Sequence, residues 1–356
     1  MTYSDIPTPA LIVDLPAMDR NIRRMSEYFA SSSCKLRPHF KAHKTPEIAR
    51  RQIAAGSCTG LTCATIGEAE VAAKVSNDIL IANEIVDRDK CRRAAMLAQH
   101  IAVTVAVDSD TGLELLSTAA AEAGVSIDVL VDLNVGQNRC GVAPGDEAVA
   151  LGQRAIDMRG LRLRGVMGYE GHAVGIHDRA KREAEVRRSM DQLASTARAF
   201  VAAGLPADIV SGGGTGSYDI SSKVDGITEI QAGSYALMDS DYGCLDMPFE
   251  QALFVLGTVV SRPVAERCVI DAGHKACTKD HGHPSVKGMT DATVLTLNDE
   301  HTIIAIPATS SIKVGDRLAL IPSHIDPTMN LHDVVYALDG DNVVGVWPIS
   351  ARGYKT

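Results

Sequence analysis

Lys41 stands between two imidazoles, His39 and His43, with Arg37 and Lys44 close by. The run from Leu36 to Lys44 starts apolar, contains Pro38 and reads as a short strand passing into a loop. Thr45 is placed to cap the next helix, and Pro46 suits its first position. An amine at the end of a strand, crowded by other cations, can be desolvated into its neutral form. A neutral amine is what Schiff-base chemistry with an aldehyde requires. Without convergent partners the same residues are a solvated basic turn.

Other residues of chemical interest follow at intervals. Arg139 lies in a glycine-flanked loop, Asn134-Val-Gly-Gln-Asn-Arg-Cys-Gly141, and Tyr169 ends an apolar run. Ser211-Gly-Gly-Gly-Thr-Gly-Ser217 contains Thr215 and Gly216 and can turn backbone N–H groups toward an anion, helped by the short helix expected after it. A tight loop needing positive φ would look the same, and the Gly-Lys-Ser/Thr of a nucleotide-binding P-loop is absent. Gly233-Ser234-Tyr235 follows another short apolar run. Near the end, His324 and Asp326 are two residues apart, so on an extended segment their side chains point the same way. One imidazole and one carboxylate suit a Mn²⁺- or Mg²⁺-like ion that keeps several waters. A surface hydrogen-bonded pair is the plainer reading. His281-Gly-His283-Pro284, in a polar loop, is a second candidate for metal.

These residues need a frame. Eight β-rich runs (35–41, 60–65, 78–83, 101–107, 127–133, 161–169, 208–211 and 228–232) alternate with helical stretches at 46–55, 67–75, 87–99, 110–123, 145–158 and 177–203. Such alternation implies parallel strands joined by right-handed crossovers, and eight units match an α/β fold of the (β/α)8 TIM-barrel type. A doubly wound open sheet competes, although no Gly-x-Gly-x-x-Gly follows the first strand. In a barrel the site lies at the carboxyl ends of the strands, with phosphate held after the seventh and eighth. Lys41, Arg139, Tyr169, the glycine run and Gly233–Tyr235 all fall at such ends.

Before the barrel, 8–14 reads as a lone buried strand. The next stretch, 16–30, places Met18, Ile22, Met25 and Phe29 on one helical face. Beyond residue 248 the helical period vanishes, and short β-branched segments separated by turns predict an all-β domain. The expected division is a barrel over 16–246 and a C-terminal all-β domain formed by 1–15 with 247–356.

Composition narrows the partners. The 356 residues carry a formal charge of -9 and only 4% aromatics, which argues against nucleic acid. The eight cysteines form no Cys-x-x-Cys pair and suit buried thiols in a reducing compartment. No signal-like start and no run of eighteen apolar residues is visible. The expectation is a cytoplasmic protein with a small-molecule substrate and neither membrane nor nucleic-acid partner.

Taken together, the motifs around Thr8–Leu15, Arg37–Glu47, Gly136–Gly141, Ser211–Ser217, Gln231–Gly243 and Ser323–Asp333 resemble the D-threonine aldolase family. These are fold-type III pyridoxal-phosphate enzymes with an alanine racemase-like barrel, and D-serine dehydratases are among their relatives. The resemblance implies that Lys41 holds pyridoxal 5'-phosphate covalently and that Arg139 meets its phenolic oxygen. Thr215, Gly216, Gly233 and Ser234 would cradle the phosphate, with Tyr242 completing that pocket. Tyr169 would serve the ring nitrogen, which in racemases faces an arginine where this chain has Gln231. His324 and Asp326 would hold a divalent metal, Mn²⁺ or Mg²⁺. Related dehydratases place a cysteine, suited to zinc, at the position of Asp326. Asp271–Lys275 lacks the tyrosine of a two-base racemase.

The implied reaction is retro-aldol cleavage of D-3-hydroxy amino acids, D-threonine giving glycine and acetaldehyde, by a homodimer. His43 is one candidate for the base. A D-3-hydroxyaspartate aldolase, a metal-dependent D-hydroxyamino acid dehydratase and a pyridoxal-phosphate-carrying homeostasis protein are the alternatives.

Overall fold

The computed structural model describes residues 1–356, which divide into two compact units. β1 (Ala10–Asp14) and α1 (Leu15–Ala30) come first. On α1, Met18, Ile22, Met25 and Phe29 are all buried, as their spacing requires.

One unit comprises Met25–Lys41, Ile48–Gly233 and Tyr354–Thr356. Its strands are β2 (Lys35–Leu36), β3 (Leu61–Cys63), β4 (Asp78–Glu84), β5 (Ala102–Val107), β6 (Ile127–Asp132), β7 (Leu161–Gly168), β8 (Ile209–Gly212) and β9 (Glu229–Ile230). They form one parallel eight-stranded sheet in the order β2-β9-β8-β7-β6-β5-β4-β3. Parallel bridges from Leu36 to Cys58 and from His39 to Thr62 join its two ends, so the sheet closes into a barrel. The strands are buried on both faces, as β6 shows with all six residues buried, because helices cover a parallel sheet from outside. Those helices are α2 (Pro46–Ala54), α3 (Ile66–Ala72), α4 (Arg88–Leu97), α5 (Asp110–Ala123), α6 (Asp146–Asp157), α7 (Arg179–Ala202) and the single turn α8 (Tyr218–Ser221). The sequence marks their ends: Thr65, Asp87, Ser109 and Asp178 each accept an N–H of the first turn, and Gly124 ends α5 with φ +67°.

The first barrel strand is shorter than its pattern suggests. Instead of running over 35–41, it ends after Leu36, and Phe40–Ala42 form a 3-10 turn. Pro38 is the reason, since it has no N–H to give a ladder, although its carbonyl still accepts from Thr62 at 2.9 Å. Charge compensates at this seam. The buried Arg37 guanidinium lies 2.7 Å from Glu229 on β9 and 2.7 Å from Asp78 on β4. The Thr45 hydroxyl, just before α2, donates to the His43 carbonyl at 2.6 Å.

The other unit comprises Met1–Arg24, Ala42–Glu47 and Ser234–Gly353. It contains β10 (Leu253–Val264), β11 (Arg267–Ile270), β12 (Ser285–Val286), β13 (Thr293–Leu297), β14 (Thr302–Ala305), β15 (Arg317–Ile321), α9 (Ile325–Met329), β16 (Val334–Asp339) and β17 (Asn342–Pro348). The sheet runs β13-β14-β11-β10-β1-β16-β17, with β15 added to β10 and β12 to β15. β1 is central, antiparallel to β10 and parallel to β16. Ile6, Ala10, Ile12, Phe254, Leu256, Ala319 and Leu338 form a core cluster around it. No helix is long and apolar enough to cross a membrane.

Candidate active site

At the carboxyl rim of the barrel, Tyr169 directly follows β7 and its ring gathers two cations. Lys41 Nζ lies 5.9 Å from the ring centroid and the Arg139 guanidinium carbon 5.8 Å. Residues 41, 139 and 169, far apart in sequence, therefore share one ring. The 3-10 turn carrying Lys41 is anchored by the His39 N–H, which donates to the Ala232 carbonyl at 3.1 Å. Arg139 sits in a loop folded around Asn134, whose Oδ1 accepts the N–H groups of Gly136 at 3.2 Å and Asn138 at 3.0 Å. Three positive φ values, +124° at Gly136, +53° at Asn138 and +96° at Gly141, complete that turn.

Carboxylates surround this loop. Burial, then Glu84 by charge and hydrogen bond, then Asp108 push the Asp132 carboxyl up to about 8, against the pull of Arg139. An unfolded chain releases that proton above about pH 4, whereas the folded chain keeps it. The group therefore stabilises the fold at low pH, and the contribution fades as pH rises from about 4 through about 8. Asp132→Asn should flatten this part of the profile. Urea midpoints at pH 5, 7 and 9 check it, and a wild-type-minus-variant difference that does not change with pH would refute it.

The glycine run is built on a carboxylate that its own sequence does not announce. Glu170, fully buried, accepts the Gly213 N–H at 3.1 Å and the hydroxyls of Ser217 at 2.6 Å and Ser221 at 2.8 Å. Ser217 in turn accepts the Gly214 N–H at 3.0 Å. Gly213 must be glycine, since φ is +73° and a Cβ would lie 2.8 Å from Ile230. The first N–H groups of the loop, those of Gly213 and Gly214, are thus already engaged. The helix α8 is only four residues long, so its dipole adds less than the sequence suggested. Tyr169 borders this loop, because a Cβ on Gly214 would come within 3.3 Å of its ring. Gln231 donates from Nε2 to the Ser211 hydroxyl at 3.0 Å, and Gly233 follows β9 at the same rim. An amine, an aromatic ring, a guanidinium and a glycine loop suit a flat aldehyde bearing a phosphate. Glu170→Ala would strand two hydroxyls and an N–H, for a loss of about 3 kcal/mol or more. Denaturant unfolding measures this, and an unchanged midpoint would contradict the role.

The other unit gathers a second set. His324 and Asp326 are not on an extended segment as the spacing suggested. His324 precedes α9 with extended backbone, and Asp326 lies in its first turn. The helix forms because Pro327 is tolerated so near its start. The side chains still meet, with His324 Nε2 3.9 Å from Asp326 Oδ1. On the other edge of the ring, His324 Nδ1 is 2.6 Å from Asp280 Oδ2. Burial is the largest single influence on Asp280 and opposes its charge, but the hydrogen bond and charge of His324, with hydrogen bonds from Thr278 and the Asp280 backbone, together outweigh it and hold the carboxyl below its usual range. Asp280 thus secures one ring nitrogen while the other faces Asp326, an arrangement able to hold a cation, since ligating histidines commonly give their second nitrogen to a carboxylate. Ligands on an ion with bonds of ~2.1 Å are ~3 Å apart when adjacent and ~4 Å when opposite. A spacing of 3.9 Å is compatible with one shared ion.

Asp239 ties the remaining elements together. Its Oδ1 accepts the Tyr242 N–H at 2.9 Å and its Oδ2 the Ile325 N–H at 3.2 Å. Ser234 opens a 3-10 turn before this segment. The histidines of 281–283 part company: His281 stacks on His324, whereas His283 Nδ1 lies 3.0 Å from the Val294 carbonyl. His43 is buried, with Nδ1 accepting the Thr45 N–H at 3.2 Å. Sequence reading missed Asp239, Asp280 and Glu170. Each acts through a partner more than forty residues away, apart from Asp239's bond to Tyr242, so only the fold reveals it.

Residues 13–241 match the alanine racemase N-terminal domain and 252–338 a serine dehydratase domain. The chain is 40% identical to a D-threonine aldolase of Arthrobacter sp over 357 residues, covering 98% of this chain and 94% of the relative. It is 36% identical to a 3-hydroxy-D-aspartate aldolase of Paracoccus denitrificans (strain Pd 1222) over 364 residues, covering 99% and 94%. The solved D-threonine aldolase of Filomicrobium marinum superposes with a TM-score of 0.98 at 39% identity, covering 100% of this chain and 98% of that one. The chain belongs to the D-threonine aldolase family, in which an alanine racemase-type barrel is followed by a serine dehydratase-type β domain.

Proposed function

We propose that the protein is a pyridoxal 5'-phosphate- and divalent-cation-dependent lyase that cleaves D-3-hydroxy amino acids, D-threonine giving glycine and acetaldehyde. The observation that carries this reading is His324, held at Nδ1 by Asp280 and facing Asp326 with Nε2. A racemase has no need of such a pair. When bound, pyridoxal phosphate supplies an electron sink for the breaking Cα–Cβ bond, and a cation of the Mn²⁺ or Mg²⁺ kind supplies positive charge that eases loss of the hydroxyl proton.

The chain's own residues do the rest. Lys41 offers the amine that holds the aldehyde and can carry a proton to the α-carbon. Arg139 and Tyr169 orient the ring plane, and Gln231 leaves the ring nitrogen without a charged partner. Thr215, Gly216, Gly233, Ser234 and Tyr242 hold the phosphate. His324 and Asp326 hold the cation, and Asp280 keeps the His324 Nδ1 proton in place so that Nε2 retains its lone pair. The similarity to the Paracoccus enzyme supports a second reading, cleavage of 3-hydroxy-D-aspartate to glycine and glyoxylate. The working form on this reading is a cytoplasmic homodimer.

Assaying purified protein with D-threonine and 3-hydroxy-D-aspartate, with and without Mn²⁺, tests both. Acetaldehyde or glyoxylate with glycine supports cleavage, and ammonia with a keto acid would mean dehydration instead. Turnover untouched by EDTA would refute the cation's role.

A further inference from the structure

His281 is the closest ring neighbour of His324, and its geometry gives it a role that ligation does not. The two imidazole centroids are 4.2 Å apart and the planes differ by 13°. His281 is itself fixed, with Nδ1 3.0 Å from Asp241 Oδ2. Asp280, His281 and His324 bring donor atoms within 4.8 Å of one another, which at first suggests a three-ligand metal site. Two features argue against it. The lone pairs of stacked, nearly parallel rings run side by side and do not converge on one ion. The 2.6 Å between Asp280 and His324 is a hydrogen bond, shorter than the ~3 Å between adjacent ligands. Asp280 pins the edge of the His324 ring at one atom, which leaves the ring free to tilt about that bond. A parallel ring at van der Waals distance removes this freedom.

We propose that His281, held by Asp241, is a positioning residue that fixes the plane of His324 and thereby the direction in which Nε2 meets the cation. This rests on the reading of His324 and Asp326 as cation ligands. Asp239 and Asp241, two residues apart, then serve one purpose from both sides. Asp239 secures the Ile325 N–H behind His324, and Asp241 secures the ring that covers its face. The side chain of His281 is 44% exposed, so replacing it leaves the core intact.

The test is Mn²⁺ binding to the chelator-stripped holoenzyme, followed by the electron paramagnetic resonance of free Mn²⁺. His281→Ala should weaken binding about tenfold, the lower end of what outer partners of metal ligands contribute. His281→Phe keeps a flat ring without ring nitrogens and should recover most of that affinity. Equal affinity in His281→Ala and wild type would overturn the proposal, as would His281→Phe binding as weakly as His281→Ala. Complete loss of binding in His281→Ala, matching His324→Ala, would make His281 a ligand and also overturn it. His324→Ala run alongside separates the two levels: full affinity there removes the cation reading itself, whereas loss there with none in His281→Ala removes this inference alone.

Discussion

Lys41→Ala, purified with pyridoxal 5'-phosphate present, is expected to hold no cofactor that borohydride can fix and to lose about 10³-fold or more of its turnover. The size follows from two duties falling on one amine: covalent capture of the aldehyde and delivery of a proton to the α-carbon. Nothing else at this rim replaces it. Arg139, the other cation at the Tyr169 ring, carries a guanidinium, which offers no lone pair for attack on an aldehyde. The substitution should leave the turn in place, because the His39 N–H anchors it to the Ala232 carbonyl at 3.1 Å. Absorbance of the cofactor and mass spectrometry after reduction give the answer. A variant that retains covalent cofactor would refute the assignment.

Loss of either cation ligand should separate cofactor from catalysis. His324→Ala and Asp326→Ala are expected to show the wild-type cofactor spectrum, lose stimulation by Mn²⁺ and fall about 10²–10³-fold in turnover at saturating substrate. Such a fall corresponds to roughly 3–4 kcal/mol of barrier, within what a cation contributes by polarising an oxygen. The spectrum should survive because the cofactor-holding residues of the barrel are untouched. Undiminished Mn²⁺-dependent turnover in both variants would exclude His324 and Asp326 from the reaction.

What the sequence disclosed, and what it hid, follows from the range of the interactions involved. Apolar runs such as 79–81 and the face of Met18, Ile22, Met25 and Phe29 report burial residue by residue, so the barrel strands and α1 could be read directly. Lys41, Arg139 and Tyr169 could be grouped because the barrel topology sends all strand ends to one rim. Asp280 and Glu170 had no such signal. A carboxylate in a polar loop or after a strand is commonplace until the fold brings His324 or Ser217 to it. The His-x-Asp reading reached the right neighbours through the wrong backbone, since a helical turn brings residues 324 and 326 within reach as an extended segment would not have to. His281 and His283 show the converse: a pair two residues apart is directed to different partners by the turn at Gly282, where φ is +110°.

The central place of β1 has a consequence for synthesis. Its partners β10 and β16 begin at Leu253 and Val334, so an apolar segment made at the outset has no neighbour until the ribosome has passed the whole barrel. At translation speeds of about 5–20 residues per second the wait is on the order of ten seconds to a minute. During that time the apolar Ala10–Val13 lacks both of the strands between which it is buried in the folded protein.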